Sequence, residues 1–288
     1  MRLGGYVFYD GTDPEQYALA HVAKGFGAAV VPHWVTLEDP AQLKAFKQAM
    51  KKHDVTIAEV GAWCNPMHPD PKEAESKIRY MIERLKLAEE LEACTCVNIL
   101  GSKSTEMWDG PCMEGYSQSF IDEAVQISQR VIDAVKPQHT KLSFEMMPFY
   151  FLDGPEAYLS FLKDIDRKEA AVHLDICNTM NNPARLCDNS NFIRHTFGLL
   201  KDEIVTLHLK DIRLIPTWGT AGFEEVLVGT GSMDYVTLMD EIAKLPDETP
   251  AMLEHLESEA QYDAASAATV AFARQVGMEF DGRRWVRK

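Results

Sequence analysis

The feature that most constrains the fold is a regular alternation of short apolar segments and longer amphipathic segments along the chain. Eight segments rich in β-branched, aromatic and aliphatic residues predict strands, at 3–10, 28–34, 56–63, 94–100, 141–147, 170–176, 204–212 and 250–256. The predicted helices that follow them are 13–27, 39–53, 70–93, 117–135, 154–165, 191–203, 234–245 and 258–277. Three of these helices begin with Asp-Pro, a favourable N-cap followed by a proline that fits the first helical turn.

Eight strand–helix units in 288 residues predict an α/β fold, a (β/α)8 TIM barrel, with residues 1–288 forming a single domain. An open, doubly wound sheet is the alternative. Such a sheet would be expected to carry a Gly-x-Gly-x-x-Gly turn after its first strand, and that turn is missing from the sequence. No linker rich in Pro, Gly or Ser interrupts the pattern, so one domain is the simplest interpretation.

The composition excludes several kinds of partner. A net charge of −15 and a pI near 5.0 argue against a nucleic-acid-binding surface, which needs clustered Lys and Arg. The basic cluster at 283–288 (Arg283, Arg284, Arg287 and Lys288) is interpreted as a solvated or interface-bound terminus. No apolar stretch approaches the ~18 residues of a membrane span, and no signal peptide is recognisable. Six cysteines without paired CxxC motifs predict free thiols in a reducing, cytoplasmic environment.

Ligand-type side chains recur at the ends of the last four predicted strands. Glu145 ends the fifth strand, Asp175 the sixth, His208 the seventh and Glu254 the eighth. The C-terminal ends of the strands form the active-site face of a TIM barrel, and neighbouring strands lie about 4.8 Å apart. These four residues, called the quartet below, are therefore predicted to surround one divalent metal ion. Three carboxylates and one imidazole favour manganese, with magnesium, cobalt or zinc as alternatives.

The segments around these residues carry a family resemblance. The motifs SFE, HLDICN, LHLKDIR and LVGTGSMDY resemble those of the xylose isomerase-like TIM-barrel superfamily of sugar isomerases and epimerases, over nearly the whole chain. Within it, the chain is most similar to the ketose 3-epimerases related to D-tagatose and D-psicose 3-epimerases. The resemblance implies that the quartet binds one metal ion and that Glu145 and Glu254 are the catalytic acid/base pair. The implied reaction abstracts a proton next to a carbonyl through a metal-stabilised enediolate.

One position departs from the family pattern. Many members have His three residues after the strand-six Asp, where this chain has Asn178. The departure leaves a lyase as the alternative function: β-elimination on an oxidised sugar, as in inosose dehydratases and C-glycoside deglycosidases. The related apurinic endonucleases need an Asp-x-His pair beyond His208, where this chain has 221–223 Ala-Gly-Phe. A DNA-repair function is therefore not expected.

The remaining predictions concern the substrate and partners. Aromatic and polar residues in the loops after the third, fourth, sixth and seventh strands are predicted to contact a sugar. They are Trp63, Asn65, His68, Trp108, Asn178 and Arg213. The Gly229–Gly231 segment resembles a phosphate cradle, but no Arg-Ser set adjoins it, so a non-phosphorylated sugar is preferred. A small-molecule sugar and a homo-oligomer or partner subunit are expected, and a binding barrel without activity is the non-catalytic alternative.

Overall fold

The computed structural model describes residues 1–287, and within them eight parallel strands form a closed barrel. The barrel order is β1-β10-β7-β6-β5-β4-β3-β2. The barrel strands are β1 Arg2–Gly4, β2 Ala28–Val30, β3 Thr56–Gly61, β4 Thr95–Asn98, β5 Lys141–Glu145, β6 Ala170–Asp175, β7 Ile204–Leu209 and β10 Pro250–Leu253. The predicted (β/α)8 barrel is confirmed.

The helices lie between the strands. They are α1 Pro14–Ala23, α2 Pro40–Lys52, α3 Pro71–Leu91, α4 Gln118–Val135, α5 Pro155–Ile165, α6 Pro183–Cys187, α7 Asn189–Leu200, α8 Tyr235–Ile242 and α9 Glu259–Gln275, with a 3₁₀ turn at Met113–Tyr116. The Asp-Pro helix starts are also confirmed. The carboxylates of Asp13, Asp39 and Asp70 accept hydrogen bonds from backbone N–H groups of the first turns of α1, α2 and α3.

The predicted and observed elements differ in several places. The first strand is predicted to run to residue 10 but ends at Gly4, where a Cβ atom would lie 2.4 Å from Met252 Sδ and 2.6 Å from the carbonyl oxygen of Ala28. The segment after β7, predicted as a long loop, contains a β-hairpin of β8 Asp211–Ile215 and β9 Gly222–Val226. The hairpin stands apart from the barrel sheet, because β8 and β9 pair only with each other.

Two register shifts interrupt the barrel next to its polar interior. Between β2 and β3, Ala29 faces Ile57 and Val30 faces Glu59, so Ala58 is an extra residue on β3. Between β6 and β7, Val172 faces Ile204 but His173 faces Thr206, which makes 205 the extra residue on β7. Such bulges change the direction in which neighbouring side chains point, and they are frequent next to active sites.

The chain ends in a second hairpin, β11 Met278–Phe280 and β12 Trp285–Arg287. The arginines of the basic cluster pair with acidic groups of the same chain: Arg283 with Asp54, Arg284 with Glu248 and Arg287 with Asp240. Lys288 lies outside the described residues. All six cysteines are free thiols. None of the helices within residues 1–287 combines the length and apolar character needed to cross a bilayer.

Candidate metal and active site

The structure brings the four members of the quartet together at the C-terminal end of the barrel. Glu145 and Asp175 are the last residues of β5 and β6, His208 lies opposite Asp175 on β7, and Glu254 follows β10 directly. One ligand atom from each residue lies within 4.8 Å of the others. Because β10, β7, β6 and β5 are consecutive barrel neighbours, the two glutamates flank Asp175 and His208.

His208 is at the centre of the quartet. Its Nδ1 atom lies 2.9 Å from Glu254 Oε2, 3.3 Å from Glu145 Oε1 and 3.9 Å from Asp175 Oδ2. The opposite ring nitrogen, Nε2, lies 3.3 Å from Oε2 of Glu59, a buried carboxylate on β3. Burial alone would lower the pKa of His208, but Glu254, Glu59 and Glu145 outweigh it and raise that pKa well above its usual value.

Lys210 supplies a second positive charge to the same cluster. Its Nζ atom lies 2.6 Å from Asp175 Oδ2, 2.9 Å from Glu254 Oε2 and 3.5 Å from Glu145 Oε1, and its side chain is 2% exposed. Of the charged residues that follow His208, namely Lys210, Asp211 and Arg213, Arg213 is the one predicted to contact a sugar. Strand alternation points to Lys210 instead, because Lys210 is two residues from His208 in an extended segment and so lies on the same side.

The two glutamates have different electrostatic surroundings. Burial, together with the nearby charge of Glu254, raises the pKa of Glu145 to about 7. Burial acts in the same direction on Glu254, but His208 and Lys210 outweigh it and hold the pKa of Glu254 well below its usual value. Two carboxylates whose pKa values are pushed apart can hold one proton between them near neutral pH.

The residues of the quartet fit a divalent cation. Among the described residues, Asp175 Oδ2 and Glu254 Oε2 are buried atoms without a hydrogen-bond partner. The ammonium of Lys210 approaches both oxygens but without hydrogen-bond geometry, so both oxygens remain available as ligand atoms. Carboxylate oxygens and imidazole nitrogen suit manganese, magnesium, cobalt and zinc, and the donor set does not choose among them.

Two cavities meet at this end of the barrel. One, of about 550 Å³, is lined by Glu59, His208 and Glu254 and by the exposed ring of Trp63. The other, of about 430 Å³, is lined by Glu145, Glu254 and Trp63 and also by Trp108. Both volumes fall in the range of small-molecule binding sites. Glu254 and Trp63 therefore stand between two spaces that a ligand can enter.

Comparison with known proteins identifies the family of the chain. A family model for xylose isomerase-like TIM barrels matches residues 20–275. This chain belongs to that family. No curated protein sequence matches the chain.

Solved structures with a similar fold align with nearly the whole of this chain. A D-psicose 3-epimerase from Clostridium cellulolyticum H10, solved with D-tagatose, has a TM-score of 0.69 and 16% identity over 96% of this chain and 99% of that one. The probable 3-DHS dehydratase AsbF from Bacillus anthracis has a TM-score of 0.67 and 16% identity, over 94% and 97%. A xylose isomerase-like protein from Mycobacterium smegmatis, in complex with magnesium, has a TM-score of 0.66 and 14% identity, over 96% and 97%. At such identities, the likeness shows the fold.

Asn178 contacts the quartet directly. Its Nδ2 atom donates to Glu145 Oε1 at 2.9 Å and to the carbonyl oxygen of Met146 at 3.1 Å. Its backbone N–H donates to Asp175 Oδ1 at 3.1 Å. Asn178 also lines the smaller cavity, so it both orients Glu145 and faces the space open to a ligand.

The other predicted substrate contacts of the xylose isomerase-like barrel lie in different surroundings. Asn65 is buried and joins two loops, donating to the carbonyl oxygen of Ser102 and accepting from the N–H groups of Met67 and Ser102. His68 accepts from the backbone N–H of Asp70 at the start of α3. Arg213 lies on the β8–β9 hairpin, is half exposed and pairs with Glu224 on the facing strand. Trp63 and Trp108 line the cavities. The substrate roles of these residues stay predictions.

The proposed phosphate cradle is occupied by a carboxylate of the chain itself. Asp211 Oδ2 accepts from the N–H groups of Gly229 and Gly231, and Asp211 Oδ1 accepts from the N–H groups of Met233 and Ile212. Asp211 is 1% exposed. These backbone donors hold the loop after the hairpin in place, so they are not free to bind a phosphate group.

Proposed function

We propose that this chain is a divalent-metal-dependent sugar isomerase or epimerase of the ketose 3-epimerase type, acting by proton abstraction next to a carbonyl. The observation that carries the proposal is the quartet itself. Its ligand atoms lie within 4.8 Å of one another beside two cavities, in a barrel of the xylose isomerase-like family.

Glu145 and Glu254 are proposed to exchange the proton. They lie on the outer two of four consecutive strands, so a substrate carbon held between them faces one carboxylate on each side. The group that is ionised removes the proton, and the group that is protonated returns one from the other side, which inverts the configuration. Without metal, the pKa values of the two groups are displaced in opposite directions, upward for Glu145 by burial and downward for Glu254 by His208 and Lys210.

Glu145, Asp175, His208 and Glu254 would hold one divalent ion, which supplies Lewis-acid stabilisation of negative charge on the substrate oxygens. Manganese is the proposed ion. Asn178 fixes the orientation of Glu145 through its amide. Trp63 and Trp108 offer aromatic surfaces against which the carbon face of a sugar can pack.

The test is a panel of ketoses incubated with the manganese-loaded protein in deuterated water. An epimerase or isomerase incorporates deuterium at the carbon beside the carbonyl and leaves the carbon skeleton intact. Glu145→Gln and Glu254→Gln should each lower turnover at least about a thousandfold, because one of the two proton-transfer groups is lost. Glu75→Gln, which changes an exposed glutamate paired with Arg130, is the matched control. Wild-type turnover by Glu145→Gln would contradict the two-carboxylate scheme.

The same panel separates the alternative functions. Loss of water or of an aglycone from an oxidised sugar or keto-glycoside would indicate a lyase. The second cavity favours testing this alternative, because it provides space beyond Glu254 and Trp63 for a leaving group. Metal binding without either reaction would indicate a binding barrel. The homo-oligomer or partner subunit and the cytoplasmic location stay predictions.

A further inference from the structure

The proposed chemistry leaves one buried acidic group without a role. Glu59 lies near the end of β3 and is 2% exposed, yet its carboxylate contacts two histidines rather than a lysine or arginine. In the barrel order, three strands separate β3 from β7. Glu59 therefore reaches His208 across the interior of the barrel and not from a neighbouring strand.

The contact with His208 is made on the side of the ring that faces away from the quartet. Glu59 Oε2 lies 3.3 Å from His208 Nε2, whereas Glu254 Oε2 and Glu145 Oε1 lie 2.9 and 3.3 Å from His208 Nδ1. A carboxylate only accepts hydrogen bonds, so the bond to Glu59 requires a proton on Nε2. Without metal, Nδ1 faces carboxylates as well and carries a second proton. A divalent ion bound by the quartet would replace that Nδ1 proton and leave His208 neutral, with its remaining proton on Nε2.

The contact of Glu59 with the second histidine is looser. Glu59 Oε1 lies 3.7 Å from His173 Nδ1, and that nitrogen lies 2.6 Å from Thr206 Oγ1. Glu59 Oε1 makes no hydrogen bond among the described residues. Of the two imidazoles, His208 is thus the hydrogen-bonded partner of Glu59 and His173 is its neighbour.

The bulge in β3 explains how a glutamate comes to lie at this position. Ala58 is the extra residue of β3 relative to β2, and it directly precedes Glu59. Ala58 packs with Ala28 and Met252 in a small cluster separate from the main core. The strand therefore presents both Ala58 and Glu59 to the interior, which strict alternation does not allow.

We propose that Glu59 is a positioning residue that holds His208 in the Nε2–H tautomer and directs its Nδ1 atom at the divalent ion. This inference rests on the proposed function, since it requires the quartet to bind metal. Carboxylates that orient a metal-ligating histidine in this way affect affinity strongly, and their removal costs about 10–100-fold in metal binding.

The experiment is a calorimetric titration of the metal-stripped protein with Mn²⁺. Glu59→Gln should raise the Kd for Mn²⁺ about 10–100-fold while leaving one ion per chain. The matched control is Glu241→Gln, a buried glutamate on α8 paired with Lys244, whose Kd should stay within about twofold of wild type. Urea unfolding in EDTA gives the second readout. If Glu59 acts on metal binding through His208, the EDTA-state stability of Glu59→Gln should differ from wild type no more than that of Glu241→Gln does.

Three results would overturn the inference, and they are distinguishable. A Kd of Glu59→Gln within about twofold of wild type shows that His208 does not depend on Glu59. If wild type binds two ions and Glu59→Gln binds one, Glu59 belongs to a separate metal site with His173 and His208. The ligand atoms of these three residues also lie within 4.8 Å of one another. Wild-type protein that binds no ion ends the proposed function, and the positioning role ends with it.

Discussion

The pKa of Glu145 makes the stability of the folded chain depend on pH. Its pKa in the folded chain is about 7, above the ordinary value of 4.5, with burial as the main cause. The protonated form is therefore favoured by folding. The resulting contribution to stability is complete below about pH 4.5 and is lost as the pH rises through about 7.

This sign gives a prediction for the metal-free protein. Glu145→Gln cannot ionise, so its stability relative to wild type should increase by roughly 1–3 kcal/mol between pH 5 and pH 8. Urea unfolding in EDTA at the two pH values measures the difference. Glu75→Gln is the control, because Arg130 lowers the pKa of Glu75 and the associated change falls below pH 5. A difference that does not depend on pH would show that Glu145 is ionised throughout.

Lys210 leads to a second prediction at the residue scale. Its ammonium lies within 3 Å of oxygens of Asp175 and Glu254, so it competes with a divalent ion for the same carboxylates. Lys210→Met should lower the Kd for Mn²⁺ at least about tenfold, measured by calorimetric titration. Lys244→Met, at a half-exposed lysine paired with Asp240 and Glu241, should leave the Kd unchanged. Weaker binding by Lys210→Met would mean that Lys210 supports the metal site.

The β8–β9 hairpin and the loop after it form an element whose position depends on one carboxylate. Asp211 accepts hydrogen bonds from four backbone N–H groups, and a Cβ atom at Gly231 would lie 2.2 Å from Asp211 Oδ1. The hairpin also contacts the C-terminal end of the barrel, since Glu225 Oε2 lies 2.8 Å from Nδ1 of His255, the residue after Glu254. Asp211 therefore holds in place a hairpin that contacts the residue next to the quartet.

Asp211→Asn should destabilise the protein by about 2–4 kcal/mol, because an amide replaces one acceptor oxygen by a donor that faces backbone N–H groups. Gly231→Ala should act in the same direction. Chemical denaturation measures both, with the exposed Asp188→Asn as control. Wild-type stability of Asp211→Asn would show that the loop can satisfy these N–H groups in another way.

At the scale of the whole molecule, the quartet joins four barrel strands that are far apart in sequence. An ion bound there binds the folded chain and not the unfolded one, so it should stabilise the entire barrel. Mn²⁺ at 100 times its Kd should add about 2.7 kcal/mol and raise the Tm by about 4–5 °C. Asp175→Asn should remove most of this gain, and sodium chloride at equal ionic strength should not reproduce it.

That measurement also bears on domain organisation. The prediction that residues 1–288 form one domain stays a prediction, and a single unfolding transition with and without Mn²⁺ is its test. Two separate transitions, of which the ion shifts one, would contradict it.

The sequence by itself determined the barrel and the quartet. Eight strand–helix units allow few closed arrangements, and parallel neighbours bring their C-terminal ends together, so ligand-type residues at strand ends must meet. The tertiary structure decided which other groups join them. Glu59 lies in the interior because of a bulge at Ala58, and Lys210 is enclosed while Arg213 lies on a hairpin. Bulges and hairpins depend on how distant segments pack, and a shift of one residue reverses the side to which a strand residue points.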